Sequence, residues 1–155
     1  MILALVEYGY IIMFIIKLLS LNNNDKYNKG TTNTNNNPKT ITNYIGKSTT
    51  FITLLGINIL INILLKNIIK QERPQKTDKY GELQRYGMPS GHSQMVWFML
   101  FFDIQQTNKY ISFILLILAG LTSYQRYKCN YHTILQILVG GLLGGFIGFY
   151  STSNI

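Results

Sequence analysis

Apolar residues in this chain collect in long runs instead of alternating with polar ones, and five runs can be traced. The first, residues 2–21, is long enough to span a bilayer, because about 20 residues at 1.5 Å each cover a ~30 Å hydrocarbon layer. It contains Glu7 and Lys17. Lys17 lies near one end and can reach the interface, whereas Glu7 is costlier and is expected to face protein or headgroups. No basic residue precedes the run and no small-x-small site follows it, so residues 1–21 read as an uncleaved membrane helix, not a signal peptide. A second helix is predicted over residues 47–69, with no charge from 51 to 65, and it runs into Lys70-Gln71-Glu72-Arg73-Pro74. The proline disfavours helical geometry at Arg73 and predicts a stop there. Polar residues 75–87 follow. A third helix starts at Pro89 and reaches about Ile104, a fourth runs from Lys109 to about Tyr124, and a fifth from near His132 to Tyr150. The third and fourth apolar centres are short for a full span, so their polar ends must extend those helices. Gly140, Gly141, Gly144, Gly145 and Gly148 in the fifth suit close helix packing in lipid.

Between the first two helices, residues 22–46 contain nine Asn with Lys, Thr, Gly30 and Pro38, and almost nothing to bury. This tract is expected to be a disordered loop, followed by a core over residues 47–150. The fold class is therefore all-α, a polytopic membrane bundle of about five transmembrane helices. Composition agrees: 47% of residues are apolar and 13% charged, against ~25% charged in a soluble domain. Cys129 is the single cysteine, which excludes a disulfide framework. The net charge of +8 would ordinarily suggest nucleic acid, but the 14 Lys and Arg are spread among membrane-like segments. No nucleic acid partner is expected. Phosphate on a lipid or another substrate remains a suitable counter-charge.

If each helix crosses once, the end of the second, the start of the third, the end of the fourth and the start of the fifth share one membrane face. Three clusters meet there. Lys66 and Arg73 are seven apart, read as two turns along one helix face. Pro89-Ser90-Gly91-His92 opens the third helix. Arg126 is followed after five residues by His132, with Gln136 one turn further on. The set makes an oxyanion site containing two imidazoles. Arginine matches phosphate oxygens in bidentate fashion, a helix N-terminus at Ser90-Gly91 offers N–H groups and a positive dipole end, and glycine lets a phosphate approach the backbone. The Gln136 carbonyl, at i+4 from His132, is placed to accept a proton from one ring nitrogen and leave the other as a free nucleophile. Each piece alone has a plain reading: Lys66 as an interfacial anchor, Pro-Ser-Gly as a helix start, a histidine as a cap. Together they place both histidines and two of the three arginines on one face.

These residues resemble a known signature. Lys66-x6-Arg73-Pro74, Pro89-Ser90-Gly91-His92 and Arg126-x5-His132 are similar to the three motifs of the type 2 phosphatidic acid phosphatase superfamily, which includes membrane lipid phosphatases and soluble haloperoxidases. The match runs over residues 66–136. Two positions depart from the general pattern, Gln125 where Ser is usual and Gln136 where Asp is usual. Tyr86-Gly87-Met88-Pro89-Ser90-Gly91-His92-Ser93-Gln94 with Trp97-Phe98, and Tyr131-His132-Thr133 with Gln136, look like the dolichyldiphosphatase branch.

The resemblance implies a phosphoric anhydride hydrolase: His132 attacks the terminal phosphorus to form a phosphohistidine, and His92 protonates the leaving oxygen and then activates water. Lys66, Arg73, Arg126 and the Ser90 and Gly91 backbone hold the phosphate oxygens, with Gln136 beside the nucleophile. It implies no cofactor and no metal, since the cations fill that role. Glu72, Asp78 and Glu82 are too irregularly spaced for a metal set and read as a solvated loop. The implied substrate is a polyprenyl diphosphate, foremost dolichyl diphosphate, hydrolysed to the monophosphate in the service of protein glycosylation. Phosphatidic acid or undecaprenyl diphosphate is the alternative, and a catalytically silent phospholipid-binding membrane protein the alternative of another class. A lumenal site in the endoplasmic reticulum is also implied by the resemblance. Charge does not set orientation: Lys70, Lys76, Lys79, Arg85 and Lys128 on the site face are balanced by Lys26, Lys29, Lys39, Lys47 and Lys109 on the other.

Overall fold

The computed structural model describes residues 38–75, 85–104 and 109–153 together with Ile15, and the side chains of the first long helix from Thr49 onward. It is all-helical in these residues: α1 (Pro38–Ile69), α2 (Gly91–Ile104), α3 (Lys109–Lys128) and α4 (Ile134–Ser153). The membrane helix expected over residues 1–21 lies outside them. Two helices among the described residues are long and apolar enough to cross a membrane, Thr49–Ile69 and Ile134–Thr152. At 14 residues α2 rises about 21 Å, short of a hydrocarbon layer.

α1 begins at Pro38, nine residues earlier than its apolar run, so part of the Asn-rich tract is helical. Proline's fixed φ suits a first helical position, which an apolar count alone does not register. α3 extends a turn past Tyr124 and so carries Gln125 and Arg126 inside the helix.

α2 is the hub. Val96, Phe98, Met99, Leu100 and Phe102 are buried with Phe51 of α1 and with Leu115 and Ala119 of α3. Phe51 packs its ring 5.1 Å from Phe102 and 6.1 Å from Phe98. The opposite flank of α2 is met by α4 through small residues. A Cβ at Gly140 would come within 2.5 Å of the Ser90 carbonyl, one at Gly148 within 2.5 Å of the Phe98 carbonyl, and one at Gly144 would overlap the Gln94 carbonyl. Backbone therefore lies against backbone along three turns. Large apolar side chains point outward elsewhere, among them Leu60 and Ile68 on α1, Phe113 on α3, and Leu142 and Phe146 on α4. An apolar exterior around a packed central helix, among the described residues, suits a surface that faces lipid.

Candidate functional site

Backbone caps bring the three motifs together. α1 ends in a left-handed turn: Lys70 has φ 50° and its N–H donates to the Lys66 carbonyl at 3.0 Å, a single-bond αL cap. The next residues are extended. Arg73 N–H donates to the Arg85 carbonyl at 3.3 Å and Gly87 N–H to the Gln71 carbonyl at 2.7 Å, around an antiparallel bridge of Glu72 with Tyr86. Lys66 and Arg73 thus do not share two turns of one helix, as their spacing suggested. Lys66 is in the last turn of α1, and Arg73 is returned towards it by the cap and the bridge.

α3 ends in the same way. Asn130 has φ 55°, its N–H donates to the Tyr127 carbonyl at 2.9 Å, and Tyr131 N–H donates to the Arg126 carbonyl at 3.1 Å. This is a Schellman cap. His132 N–H also donates to the Arg126 carbonyl, at 3.2 Å. The interval of five residues between Arg126 and His132 is therefore the length of a capped turn that folds the histidine back over the helix end. The Arg126 guanidinium lies 5.2 Å from the centre of the Tyr131 ring, a cation–π contact.

Thr133 and Gln136 open α4 as a capping box. Gln136 N–H donates to Thr133 Oγ1 and Thr133 N–H to Gln136 Oε1, both at 3.2 Å. The same Oε1 lies 3.2 Å from His132 Nδ1. With the Nδ1 proton directed at that oxygen, Nε2 carries the free lone pair. Gln136 Nε2 donates to the Glu72 carbonyl at 3.0 Å and to Gln71 Oε1 at 3.3 Å. One fully buried side chain therefore ties the histidine to the strand-like segment that bears Arg73.

The opening of α2 completes the site. Ser90 N–H donates to the Gln136 carbonyl at 3.0 Å, so this N–H is engaged and is not one of the free donors expected at the helix start. What Ser90 contributes instead is its hydroxyl. Ser90 Oγ and Arg73 Nε are buried and have no hydrogen-bond partner among the described residues. Polar atoms in that condition are costly unless a ligand meets them. Gly91 adjoins Lys66, whose Nζ is 3.7 Å from where a glycine Cβ would stand.

All the cations and both rings lie within one electrostatic cluster. His92 interacts with Arg126, His132, Lys66 and Arg73, and Lys66 with Arg73. Burial first, then Arg73, lowers the His132 pKa to about 3, against a smaller opposing effect of its bond to Gln136. Burial, and next Arg126, also lowers the Arg73 guanidinium from its usual value. A pKa of about 3 leaves the His132 ring neutral at pH 7, beside the positive charges of Lys66, Arg73 and Arg126. Glu72 is turned away and bonded to Arg85, its Oε1 2.9 Å from the Arg85 Nε. Asp78 and Glu82 lie outside the described residues. The structure brings together Lys66, Arg73, Ser90, Gly91, His92, Arg126, His132 and Gln136.

Sequence reasoning named Thr133, the cap partner of Gln136, and Gln94 only as motif letters without a role, and passed over the buried amides Asn58 and Asn62. A signal for the asparagines was present: two amides four residues apart in an otherwise apolar span.

The family model for the PAP2 superfamily matches residues 47–154. Dolichyldiphosphatase 1 of Homo sapiens is 36% identical over 114 residues, covering 63% of this chain and 48% of that protein. Dolichyldiphosphatase 1 of Dictyostelium discoideum is 34% identical over 104 residues, covering 57% and 43%. Lipid phosphate phosphatase gamma of Arabidopsis thaliana is 29% identical over 110 residues, covering 63% and 49%. The chain spans about half the length of the curated relatives it matches. No solved structure matches it.

Proposed function

The chain belongs to the PAP2 superfamily, and from that premise we propose that it hydrolyses a lipid diphosphate, foremost dolichyl diphosphate, to the monophosphate through a phosphohistidine. The observation that carries this reading is the cluster itself: two imidazoles among three cations, with His132 Nδ1 held by Gln136 Oε1. In the proposed reaction His132 Nε2 attacks the terminal phosphorus in line. The bond from phosphorus to the bridging oxygen breaks, and that oxygen leaves as the lipid monophosphate with a proton from His92. His92 then takes a proton from water, whose oxygen displaces the histidine and releases inorganic phosphate. A bound diphosphate reverses the local field, which favours a protonated His92 at the start of the cycle. Lys66, Arg73 and Arg126 and the Ser90 hydroxyl hold the oxygens on which charge develops, the contribution that is usually largest. Three fixed cations supply the charge compensation for which other phosphatases use a metal ion, so the reaction is proposed to need none.

The apolar spans support a membrane-embedded enzyme with the site at headgroup level, where a lipid tail stays in hydrocarbon. A lumenal site in the endoplasmic reticulum follows from the proposed substrate. Similarity to a plant protein named for lipid phosphates supports a second substrate reading, such as phosphatidic acid. The test is phosphate release by the purified chain in detergent with chelator present, across dolichyl diphosphate, undecaprenyl diphosphate and phosphatidic acid. Turnover of dolichyl diphosphate that vanishes in His132→Ala supports the proposal; activity surviving that change, or a requirement for added metal, refutes it.

A further inference from the structure

We propose that Asn62 is a positioning residue that sets the distance between Lys66 and the phosphate-facing turn at residues 89–91, an inference that rests on the phosphatase reading above. Asn62 lies within the span Thr49–Ile69 and is 7% exposed. A polar side chain there is costly unless it is bonded, and such residues are commonly functional. Asn62 Nδ2 donates to the Pro89 carbonyl at 3.3 Å and to Gln94 Oε1 at 2.7 Å. Gln94 Nε2 in turn donates to the carbonyl of Asn58 at 3.0 Å and to its Oδ1 at 2.9 Å. An amide nitrogen has two protons, and both nitrogens have spent theirs within the protein. Neither side chain keeps an N–H for substrate, so Asn62 acts through what it holds. Residues 58, 62 and 66 share one face of α1. The lower two are amides clamped to α2, and the upper one is the cation. Asn62 Oδ1 stands 3.1 Å, and Lys66 Nζ 3.7 Å, from the position of a Cβ on Gly91. The start of α2 is thus pinned to α1 one turn below Lys66, and the pin fixes how closely Lys66 and Gly91 flank one phosphoryl group.

The test uses the purified full chain in detergent and two probes, orthovanadate, which adopts the five-coordinate geometry of phosphoryl transfer, and inorganic phosphate. Affinities are read from thermal-shift titrations. Asn62→Leu keeps the volume and removes the pin. A loss of alignment near 1 Å costs about 10²-fold in transition-state complementarity, so vanadate affinity is expected to fall by about that factor. Phosphate affinity should fall less, because a ground-state anion adapts to a displaced cation. If the single variant does not fold, Asn62→Leu with Gln94→Leu replaces both partners by apolar groups, which removes the stranded Gln94 oxygen, and the same ratio is measured. Unchanged affinities, or equal losses for the two anions, overturn the proposal. A wild type that binds vanadate yet hydrolyses no lipid diphosphate refutes the assigned activity and leaves the affinity ratio to decide the role of Asn62. A wild type that binds neither anion overturns both.

Discussion

Gln136→Leu removes one buried side chain that does two separable jobs, and the loss can be worked out in advance. The oxygen half holds His132 Nδ1 and Thr133 N–H, each at 3.2 Å, and the nitrogen half holds the Glu72 carbonyl at 3.0 Å. Losing all four side-chain bonds, two on the oxygen and two on the nitrogen, costs about 1 kcal/mol each, roughly 4 kcal/mol in all, which lowers the melting midpoint of a domain this size by about 8–16 °C. Catalysis suffers as well, because the nucleophile is no longer fixed in tautomer or direction. A fall of about 10²-fold in kcat is expected from misalignment of that kind. Gln136→Glu separates the halves. It keeps an oxygen for His132 but sets a second oxygen against the Glu72 carbonyl, so the segment bearing Arg73 is released. That variant should raise KM and also lose part of kcat, because Arg73 holds the oxygens as charge develops, but its kcat should fall less than that of Gln136→Leu, whose nucleophile is loosened as well. Phosphate release from dolichyl diphosphate over a range of concentrations gives both constants, and scanning fluorimetry gives the midpoint. A Gln136→Leu protein with wild-type kcat and an unshifted midpoint would refute this account of the capping box.

Two further outcomes follow from the same structure. His132 has a folded pKa of about 3, below the ~6.5 of an unfolded histidine, so the unfolded chain binds the extra proton first as pH falls. The stability this group contributes is present above pH ~6.5 and is lost between there and pH ~3; His132→Asn should flatten the decline in melting midpoint from pH 7 to 4.5, and an identical decline in both proteins would contradict the burial of a neutral ring. Gly144→Ala forces a Cβ into the Gln94 carbonyl, whereas Gly120 has nothing within 4 Å; the first should cost about 1–3 kcal/mol as overpacking, while Gly120→Ala should be neutral or stabilising by up to about 1 kcal/mol, as read by melting in matched detergent, and equal effects would refute the close packing of α2 on α4.

Apolar runs were enough to locate the four helices of the described residues, because long apolar segments leave a one-dimensional trace. Ends were less legible. Pro38 starts α1 well before its apolar run, since the helix-starting fit of a proline does not register as hydropathy. The eight candidate residues could be grouped from side-chain chemistry, the parity of single helix crossings and the resemblance to known motifs, but how they converge could not. Positive φ is carried at Lys70 by a residue that gives no cap signal and at Asn130 by the less frequent alternative to glycine, so the caps are only faintly marked. For that reason Lys66 and Arg73 looked like neighbours on a helix when the chain turns between them. The Ser90 N–H looked free because its partner, the Gln136 carbonyl, is 46 residues distant in sequence. Asn58 and Asn62 were hidden differently. Within an apolar span an amide reads as noise until its partner Gln94 is placed opposite it.

The most direct test of the whole account is to trap the covalent state. The purified chain is mixed with dolichyl diphosphate labelled in its terminal phosphate, quenched in base within the first turnovers, and mapped by peptide mass spectrometry. One acid-labile phosphoryl group on His132, absent from His132→Ala and slower both to form and to be hydrolysed when His92 is replaced by Ala, is the predicted result. Labelled inorganic phosphate released with no label on the protein, or label on a residue outside the cluster, would contradict it.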